Sequence, residues 1–205
     1  MAHSFFKREM MLLLSTMKIG LYFGSFNPIH IGHLIVAKHV AEHCNVDQVW
    51  FVVSPQNPLK ETASLLNEKS RFYLTQLAIE NEPKFKASNI EFALPKPSYT
   101  IDSMIHISEK YPQHEFSIIM GGDSFQNIPK WKNYQALLKQ FKIIIYNRPG
   151  FDIDLSLSKN IEIVDAPLMD ISSTFIRKNI KEKKSIKYLV LDEVIEEIEK
   201  SGYYK

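Results

Sequence analysis

The segment GSFNPIHIGH, residues 24–33, places His30 and His33 three positions apart where a predicted strand leads into a predicted helix. Backbone N–H groups converge at the start of a helix, and the helix dipole favours negative charge there. Residues three apart lie on one side of a helical turn, so both imidazoles can donate hydrogen bonds to phosphate oxygens. Gly24 allows close approach to the backbone, and Gly32 lets the helix start lie against a ligand. The segment therefore predicts a phosphate-binding site.

Two other interpretations of the histidine pair exist. One is a pair of surface histidines beside a structural glycine turn. The other is a zinc site, but zinc is usually held by three or four protein ligands, and no third ligand stands at a suitable spacing. The strand before the pair and the helix after it favour phosphate binding over both.

A second candidate for anion binding is the segment ISSTFIR, residues 171–177. Serine and threonine are preferred at helix N-termini, and Arg177 follows one turn later with a planar fork that suits phosphate oxygens. Alone, this segment is equally typical of a helix cap followed by a solvated arginine. Its combination with the histidine pair, in a chain that alternates strands and helices, favours one shared site.

Short apolar runs alternate with helical patterns along the chain. The predicted strands are Lys18–Phe23, Gln48–Val53, Ser88–Ala93, Phe116–Met120, Lys142–Tyr146 and Ile161–Val164. The predicted helices are Ile31–Cys44, one capped by Asn67 and running to Asn81, one capped by Thr100 and ending before Tyr111, Tyr134–Gln140, Ser173–Lys183 and Tyr188–Lys200. This order predicts an α/β fold in which a parallel sheet has helices on both faces, with a small C-terminal helical segment. Ligands of such folds bind beyond the carboxyl ends of the strands.

The composition is typical of one soluble domain, with 45% hydrophobic and 23% charged residues among 205. A net charge of +2 is too small to predict a nucleic-acid or membrane partner. Cys44 is the single cysteine, which excludes an intramolecular disulfide and a cysteine-rich metal site.

Residues 1–16 differ from the rest and are interpreted as a leader or extension, which leaves 17–205 as one domain. The apolar run Met10–Leu14 has only five residues, fewer than the roughly 7 that a signal peptide needs at minimum. No stretch approaches the roughly 20 apolar residues of a transmembrane helix. We therefore expect a cytoplasmic protein.

Together, the two segments resemble the motifs of the nucleotidyltransferase superfamily that carries a His-x-Gly-His signature. Within it, the chain is most similar to the bacterial nicotinate mononucleotide adenylyltransferases, over about Lys18 to Tyr204. The further matching segments are Ser98-Tyr99-Thr100 with Asp102, Gly122-Asp123-Ser124 with Trp131, and Arg148-Pro149-Gly150. The resemblance implies a Rossmann-like fold and a single nucleotidyltransferase domain.

Two positions depart from the family pattern. A Pro-His-Lys triplet is common after the second strand, whereas this chain has Pro58-Leu59-Lys60, so only the lysine is carried over. Gly122 stands where alanine is commoner.

The resemblance implies transfer of AMP from ATP to nicotinate mononucleotide, giving nicotinate adenine dinucleotide and pyrophosphate. The acceptor phosphate is mostly dianionic at pH 7, so it can attack without a dedicated base. The implied catalytic residues are His30, His33, Lys60 and Arg177. The implied ATP-binding residues are Gly24, Ser25, Phe26, His30, His33, Asp123, Arg148, Ile171, Ser172, Ser173, Thr174 and Arg177. The implied pyridine-nucleotide-binding residues are Asn27, Lys60, Tyr99, Thr100 and Trp131.

The resemblance also implies Mg²⁺ carried with ATP rather than a metal site of the protein, and it allows a homo-oligomer. Considered singly, Trp131 is as typical of packing as of stacking, Tyr99 and Thr100 of a helix start, and Lys60 of a solvated charge. A related transferase with another acceptor, such as nicotinamide mononucleotide, phosphopantetheine or glycerol phosphate with CTP, is one alternative. A nucleotide-binding module without turnover is the other.

Overall fold

The structure is a computed structural model that describes residues 16–56, 64–167 and 169–205. Its strands are β1 (Lys18–Gly24), β2 (Gln48–Val53), β3 (Phe85–Ser88), β4 (Glu115–Gly121), β5 (Lys142–Tyr146) and β6 (Ile161–Val164). They form one sheet in the order β3-β2-β1-β4-β5-β6, and all neighbouring strands run parallel. The order reverses between β1 and β4, which in open parallel sheets is where a ligand crevice forms.

The α-helices lie on the connections between these strands and after the last one. They are α1 (Ile31–His43), α2 (Glu68–Ile79), α3 (Thr100–Lys110), α4 (Gly122–Gln126), α5 (Tyr134–Gln140), α6 (Ser173–Lys181) and α7 (Asp192–Ser201). Three short 3₁₀ helices occupy Ile90–Ala93, Ile128–Lys130 and Leu155–Leu157. Within the described ranges, no helix has the length and apolar character needed to cross a membrane.

Side chains of the strands alternate between two faces, and each face is covered by helices. On one face, Tyr22 and Phe51 pack with buried residues of α1, α2, α6 and α7. On the other, Leu21 and Trp50 pack with buried residues of α3, α4 and α5. The predicted α/β class, with a parallel sheet between two helical layers, is confirmed.

The predicted third strand, Ser88–Ala93, is wrong in its position. The strand is Phe85–Ser88, aligned with Val49–Val52 of β2, and the chain then turns into a 3₁₀ helix. The backbone N–H of Ile90 donates to Ser88 Oγ, and Phe92 N–H donates to Asn89 O. Local bonds of this kind compete with a sheet ladder, so the strand ends one residue into the predicted range.

The last helix was predicted from Tyr188, but α7 begins at Asp192. Tyr188 has φ of +67°, which interrupts a right-handed helix, and Leu189 O accepts from Ile31 N–H at 2.9 Å. The segment before α7 is therefore bonded to the start of α1. The Asn67 cap of α2 is confirmed, since its side chain accepts from Lys69 N–H at 2.8 Å.

Candidate active site

A cavity of about 750 Å³ lies beyond the carboxyl ends of β1 and β4. Its volume is in the range of small-molecule sites. The starts of α1, α3 and α6 contribute to its wall, so three helix N-termini that favour anions converge on it. The candidate residues that line it are Gly24, Ser25, Phe26, Asn27, His30, His33, Tyr99, Thr100, Asp123, Trp131, Arg148, Ile171, Ser172, Ser173, Thr174 and Arg177. Lys60 lies outside the described residues.

The two histidines stack on each other at the start of α1. Their ring centroids are 3.6 Å apart, and the backbone N–H of His30 donates to Nδ1 of His33 at 3.2 Å. Because Nδ1 of His33 accepts, the neutral ring carries its proton on Nε2. A Cβ atom at Gly32 would lie 3.1 Å from the His30 ring, so glycine allows this stack.

His30 is only 7% exposed, and burial together with the positive charge of Arg148 lowers its pKa to about 4. The ring is therefore neutral at physiological pH. Its Nδ1 is buried and has no hydrogen-bond partner among the described residues. A buried polar atom in this state costs free energy that a ligand partner would recover.

We expect the His30 environment to make the protein less stable in acid. The pKa of His30 is 6.5 when the protein is unfolded and about 4 when it is folded. The contribution of neutral His30 to the free energy of unfolding is therefore complete above pH 6.5, and it is lost as the pH falls towards 4. The shift corresponds to at most about 3 kcal/mol. Urea unfolding at about pH 7.5 and pH 4.5 should show a wild-type loss greater than that of His30→Gln by roughly 2 to 3 kcal/mol. Equal losses in the two proteins would contradict the low pKa.

The turn after β1 is held by its own side chains. A Cβ atom at Gly24 would lie 2.7 Å from the ring of Phe26, and Phe26 itself adopts a φ of +44°. Asn27 Nδ2 donates to Ser64 O at 2.8 Å, and its Oδ1 accepts from Leu66 N–H at 3.1 Å. The amide of Asn27 therefore joins the turn after β1 to the segment before α2, whatever contact it makes with a ligand.

Arg177 and Ser173 join the second sequence segment to the first. Arg177 Nη1 donates to Asn27 O at 2.8 Å, and Nη2 donates to Thr174 Oγ1 at 3.2 Å and Ser64 Oγ at 3.3 Å. Ser173 Oγ donates to Pro28 O at 2.9 Å. The side chain of Ser172 caps α6 by accepting from Phe175 N–H. The structure thus brings the two motifs into direct contact at one wall of the cavity.

We expect Arg177→Lys to lower kcat/KM for ATP by roughly tenfold or more, because an ammonium cannot reproduce a planar fork of donors. Initial rates at varied ATP would measure it. The reciprocal exchange Lys178→Arg, on the exposed side of the same helix, serves as the control and should change little. Unchanged ATP kinetics in Arg177→Lys would show that Arg177 takes no part in ATP binding and has only a structural role on its helix.

Asp123 and Arg148 form a charged group that also lines the cavity. Asp123 Oδ2 lies 3.5 Å from Arg148 Nη1, and the guanidinium lies 5.4 Å from the centroid of the Tyr146 ring. The hydroxyl of Tyr146 is 3.3 Å from that of Tyr22, whose pKa is raised by burial. Asp123 Oδ1 is buried without a partner among the described residues, so it can accept a hydrogen bond from a ligand.

The start of α3 differs by one residue from the prediction. Tyr99, not Thr100, is the N-cap, because its φ and ψ of −109° and 140° are extended, and Thr100 is the first helical residue. The first N–H groups of a helix have no acceptor within it, so Thr100 N–H belongs to a set of donors at this wall. Lys132 Nζ lies 4.8 Å from the centroid of the Tyr99 ring and 2.7 Å from Asp102 Oδ2. N–H donors and an ion pair between lysine and aspartate therefore meet here.

Trp131 is half-buried at the same wall and also packs against the apolar core. Its backbone N–H donates to Ile128 O at 2.9 Å. That donor is therefore used within the protein, and the indole is the part of Trp131 that can meet a ligand.

Sequence reasoning missed Arg71 and Glu91, which are 0% and 2% exposed. Glu91 lines the cavity. Arg71 lies three and seven positions before the buried Leu74 and Ala78 of α2, so the helical pattern contains a signal that this charge points inward.

Comparison with known proteins shows named relatives of this chain. Residues 21–179 match a family model described as cytidylyltransferase-like. A curated protein of Cytophaga hutchinsonii named "Probable nicotinate-nucleotide adenylyltransferase" is 52% identical over 189 residues, which cover 92% of this chain and 98% of the relative. A relative of the same name from Flavobacterium psychrophilum is 51% identical over 192 residues, which cover 92% and 100%.

Solved structures show the same fold. Nicotinic acid mononucleotide adenylyltransferase of Plasmodium falciparum, complexed with NaAD, superposes with a TM-score of 0.78. The alignment covers 92% of this chain and 97% of that chain at 23% identity. This likeness confirms the Rossmann-like architecture.

Proposed function

The chain belongs to the nicotinate-nucleotide adenylyltransferases, and we propose that its cavity joins the AMP part of ATP to nicotinate mononucleotide. This proposal rests on one observation: the stacked His30 and His33, the start of α6 and Arg177 all line the same cavity. The family predicted from the sequence is confirmed. The roles of individual residues are part of the proposal.

The reaction requires positioning more than covalent chemistry by the protein. An oxygen of the acceptor phosphate attacks the α-phosphorus of ATP, a new P–O bond forms, and the bond from that phosphorus to the bridging oxygen breaks to release pyrophosphate. The Nε2–H of His33 is a donor for an oxygen that gains charge in this step. His30, neutral because of its low pKa, adds hydrogen-bonding capacity without a net charge.

The β and γ phosphates fit the start of α6, where the N–H groups of the first turn that are not capped by Ser172 and the nearby guanidinium of Arg177 favour anions. We propose that ATP enters as its magnesium complex, since Mg²⁺ binds through phosphates, several waters and few carboxylates. Asp123, with one buried and unpartnered oxygen, suits a hydroxyl of the nucleotide or a water on that ion.

A pyrophosphate-release assay with a panel of acceptors tests this function. The panel contains nicotinate mononucleotide, nicotinamide mononucleotide and phosphopantetheine with ATP, and glycerol phosphate with CTP. Nicotinate mononucleotide should give the highest kcat/KM, with one dinucleotide formed per pyrophosphate. A better rate with another acceptor would overturn the substrate, and ATP binding without turnover on any acceptor would indicate a binding module.

We further propose that residues 17–205 act as one domain, since Val194 and Ile198 of α7 pack into the core that α1 and α2 share. The extension predicted for residues 1–16 lies, except for Thr16, outside the described residues. A cytoplasmic location, where ATP is supplied, and a homo-oligomer stay as predictions.

A further inference from the structure

Arg71 is a buried cation whose hydrogen bonds within the described residues all go to backbone carbonyls. Its Nε donates to Leu66 O at 2.7 Å, Nη1 donates to Ser25 O and Ser54 O, and Nη2 donates to Pro55 O at 2.9 Å. Among the residues that the structure describes, no carboxylate forms an ion pair with it. A buried charge is tolerated only when its hydrogen bonds are made, so these carbonyls and Arg71 fix one another.

Glu91 is a buried carboxylate whose hydrogen bonds within the described residues go to hydroxyls. Its Oε2 accepts from Ser98 Oγ at 2.8 Å and its Oε1 accepts from Ser103 Oγ at 2.5 Å, and the hydroxyl of Ser54 acts on the same carboxyl. Burial raises the pKa of Glu91, and the three hydroxyls oppose that shift. Ser98 directly precedes Tyr99 and Thr100, at the wall of the cavity that the start of α3 forms and that we propose holds the acceptor (the acceptor wall).

Ser54, the residue after β2, connects the two buried charges. Its carbonyl accepts from Arg71 at 2.8 Å, its N–H donates to Gly24 O at 2.9 Å, and its hydroxyl lowers the pKa of the Glu91 carboxyl. Ser54 therefore connects two segments of the cavity: through Arg71 it reaches Ser25 in the turn after β1 (the nucleotide turn), and through Glu91 it reaches Ser98 in the segment before α3 (the acceptor segment).

We propose that Arg71, Ser54 and Glu91 are positioning residues that hold the nucleotide turn and the acceptor segment at a fixed separation. The proposal rests on the proposed function, because that function needs two bound phosphates aligned for in-line attack. Reacting atoms must approach to about 3 to 3.5 Å, and a misplacement of about 1 Å can cost about 10²-fold in rate. Arg71 and Glu91 act through the backbone and through serine hydroxyls.

The test is a double-mutant cycle on Arg71→Lys and Glu91→Gln. Each variant should lower kcat by roughly 10- to 100-fold and change the KM for ATP much less, because alignment suffers more than binding. Their effects on kcat should deviate from additivity by at least about 2-fold, as expected for residues in one hydrogen-bond network. In a Ser54→Ala background this deviation should vanish. Additive effects in the presence of Ser54, or normal kcat in both variants, would overturn the proposal.

Glu109→Gln, on the exposed side of the last turn of α3, is the matched control and should leave kcat and Tm unchanged. If Glu91→Gln does not fold, Ser54→Ala replaces it in the test, because this substitution removes only one hydroxyl. It should still lower kcat without a matching change in the KM for ATP.

Hydrogen exchange supplies a readout that does not depend on turnover. Arg71→Lys should speed amide exchange in residues 98–103, which Arg71 does not contact, and Ser54→Ala should remove this remote effect. Unchanged amide exchange in residues 98–103 of Arg71→Lys would overturn the proposed connection between the two segments, even if the enzyme were active. If the wild-type protein did not use nicotinate mononucleotide, the proposed function would be overturned instead. The hydrogen-exchange result would then still decide whether Arg71, Ser54 and Glu91 connect the two segments.

Discussion

Replacing His33 with alanine should lower kcat for AMP transfer by roughly 10²- to 10³-fold, the usual cost of removing one preorganised donor to a charged transition state. The structure sharpens this expectation. Since Nδ1 of His33 accepts from the backbone of His30, Nε2 carries the proton of the neutral ring and is the donor that we propose for the reaction. His33 is half-buried, with ring centroids 5.1 Å from Phe26 and 6.1 Å from Tyr22, so the loss of stability should be only about 1 kcal/mol.

The comparison that isolates Nε2 uses His33→Asn. Asparagine can still accept from the backbone N–H of His30 but has no group at the place of Nε2, so its kcat should be as low as that of alanine. His43→Ala, at the exposed end of the same helix, is the control and should be close to wild type. Single-turnover and steady-state rates measure all three variants. Near-normal turnover in His33→Ala would remove this residue from the mechanism.

The enzyme should prefer nicotinate over nicotinamide mononucleotide by roughly 10²-fold or more in kcat/KM. A carboxylate only accepts hydrogen bonds, whereas the amide places an NH₂ group against donors. The proposed acceptor wall offers N–H groups at the start of α3, near Thr100, whereas the ammonium of Lys132 over Tyr99 is paired with Asp102. The N–H groups of the helix start therefore supply the preference for an anion.

Trp131→Ala should raise the KM for the pyridine nucleotide and leave that for ATP nearly unchanged, since a ring that covers the pyridine contributes stacking. Initial rates with either substrate varied would show the split. Equal use of nicotinate and nicotinamide mononucleotide would contradict an acceptor wall made of hydrogen-bond donors. A rise in KM confined to ATP in Trp131→Ala would place Trp131 on the ATP side of the cavity.

The alternation of apolar runs and helical patterns was sufficient to predict the layered fold, because burial on both faces leaves strands such as Gln48–Val53 almost wholly apolar. The error at β3 came from Ser88, whose side chain bonds locally and ends the strand. Apolar residues that follow, such as Ile90, are buried in a 3₁₀ helix, and a short apolar run does not distinguish the two states.

The candidate site was predictable where its chemistry lies in local motifs, as at His30 and Arg177. Arg71 and Glu91 could not be assigned in this way, because their partners are carbonyls and hydroxyls supplied by distant segments. A backbone carbonyl has no sequence signature, so only the folded chain shows which ones a buried guanidinium meets. The N-cap of α3 is Tyr99 and not the predicted Thr100 for a similar reason, since the backbone dihedral angles of the folded chain decide which residue is the cap.

The bonds of Arg177 to Asn27 and of Ser173 to Pro28 span separations of 150 and 145 residues. During synthesis from the N-terminus, the turn at Asn27 emerges long before α6 exists. Contacts this remote in sequence form slowly, since the intervening loop must close first. A ribosome-bound chain can thus complete the central strands while one wall of the proposed nucleotide site is still missing, and that site becomes complete only after Arg177 has been made.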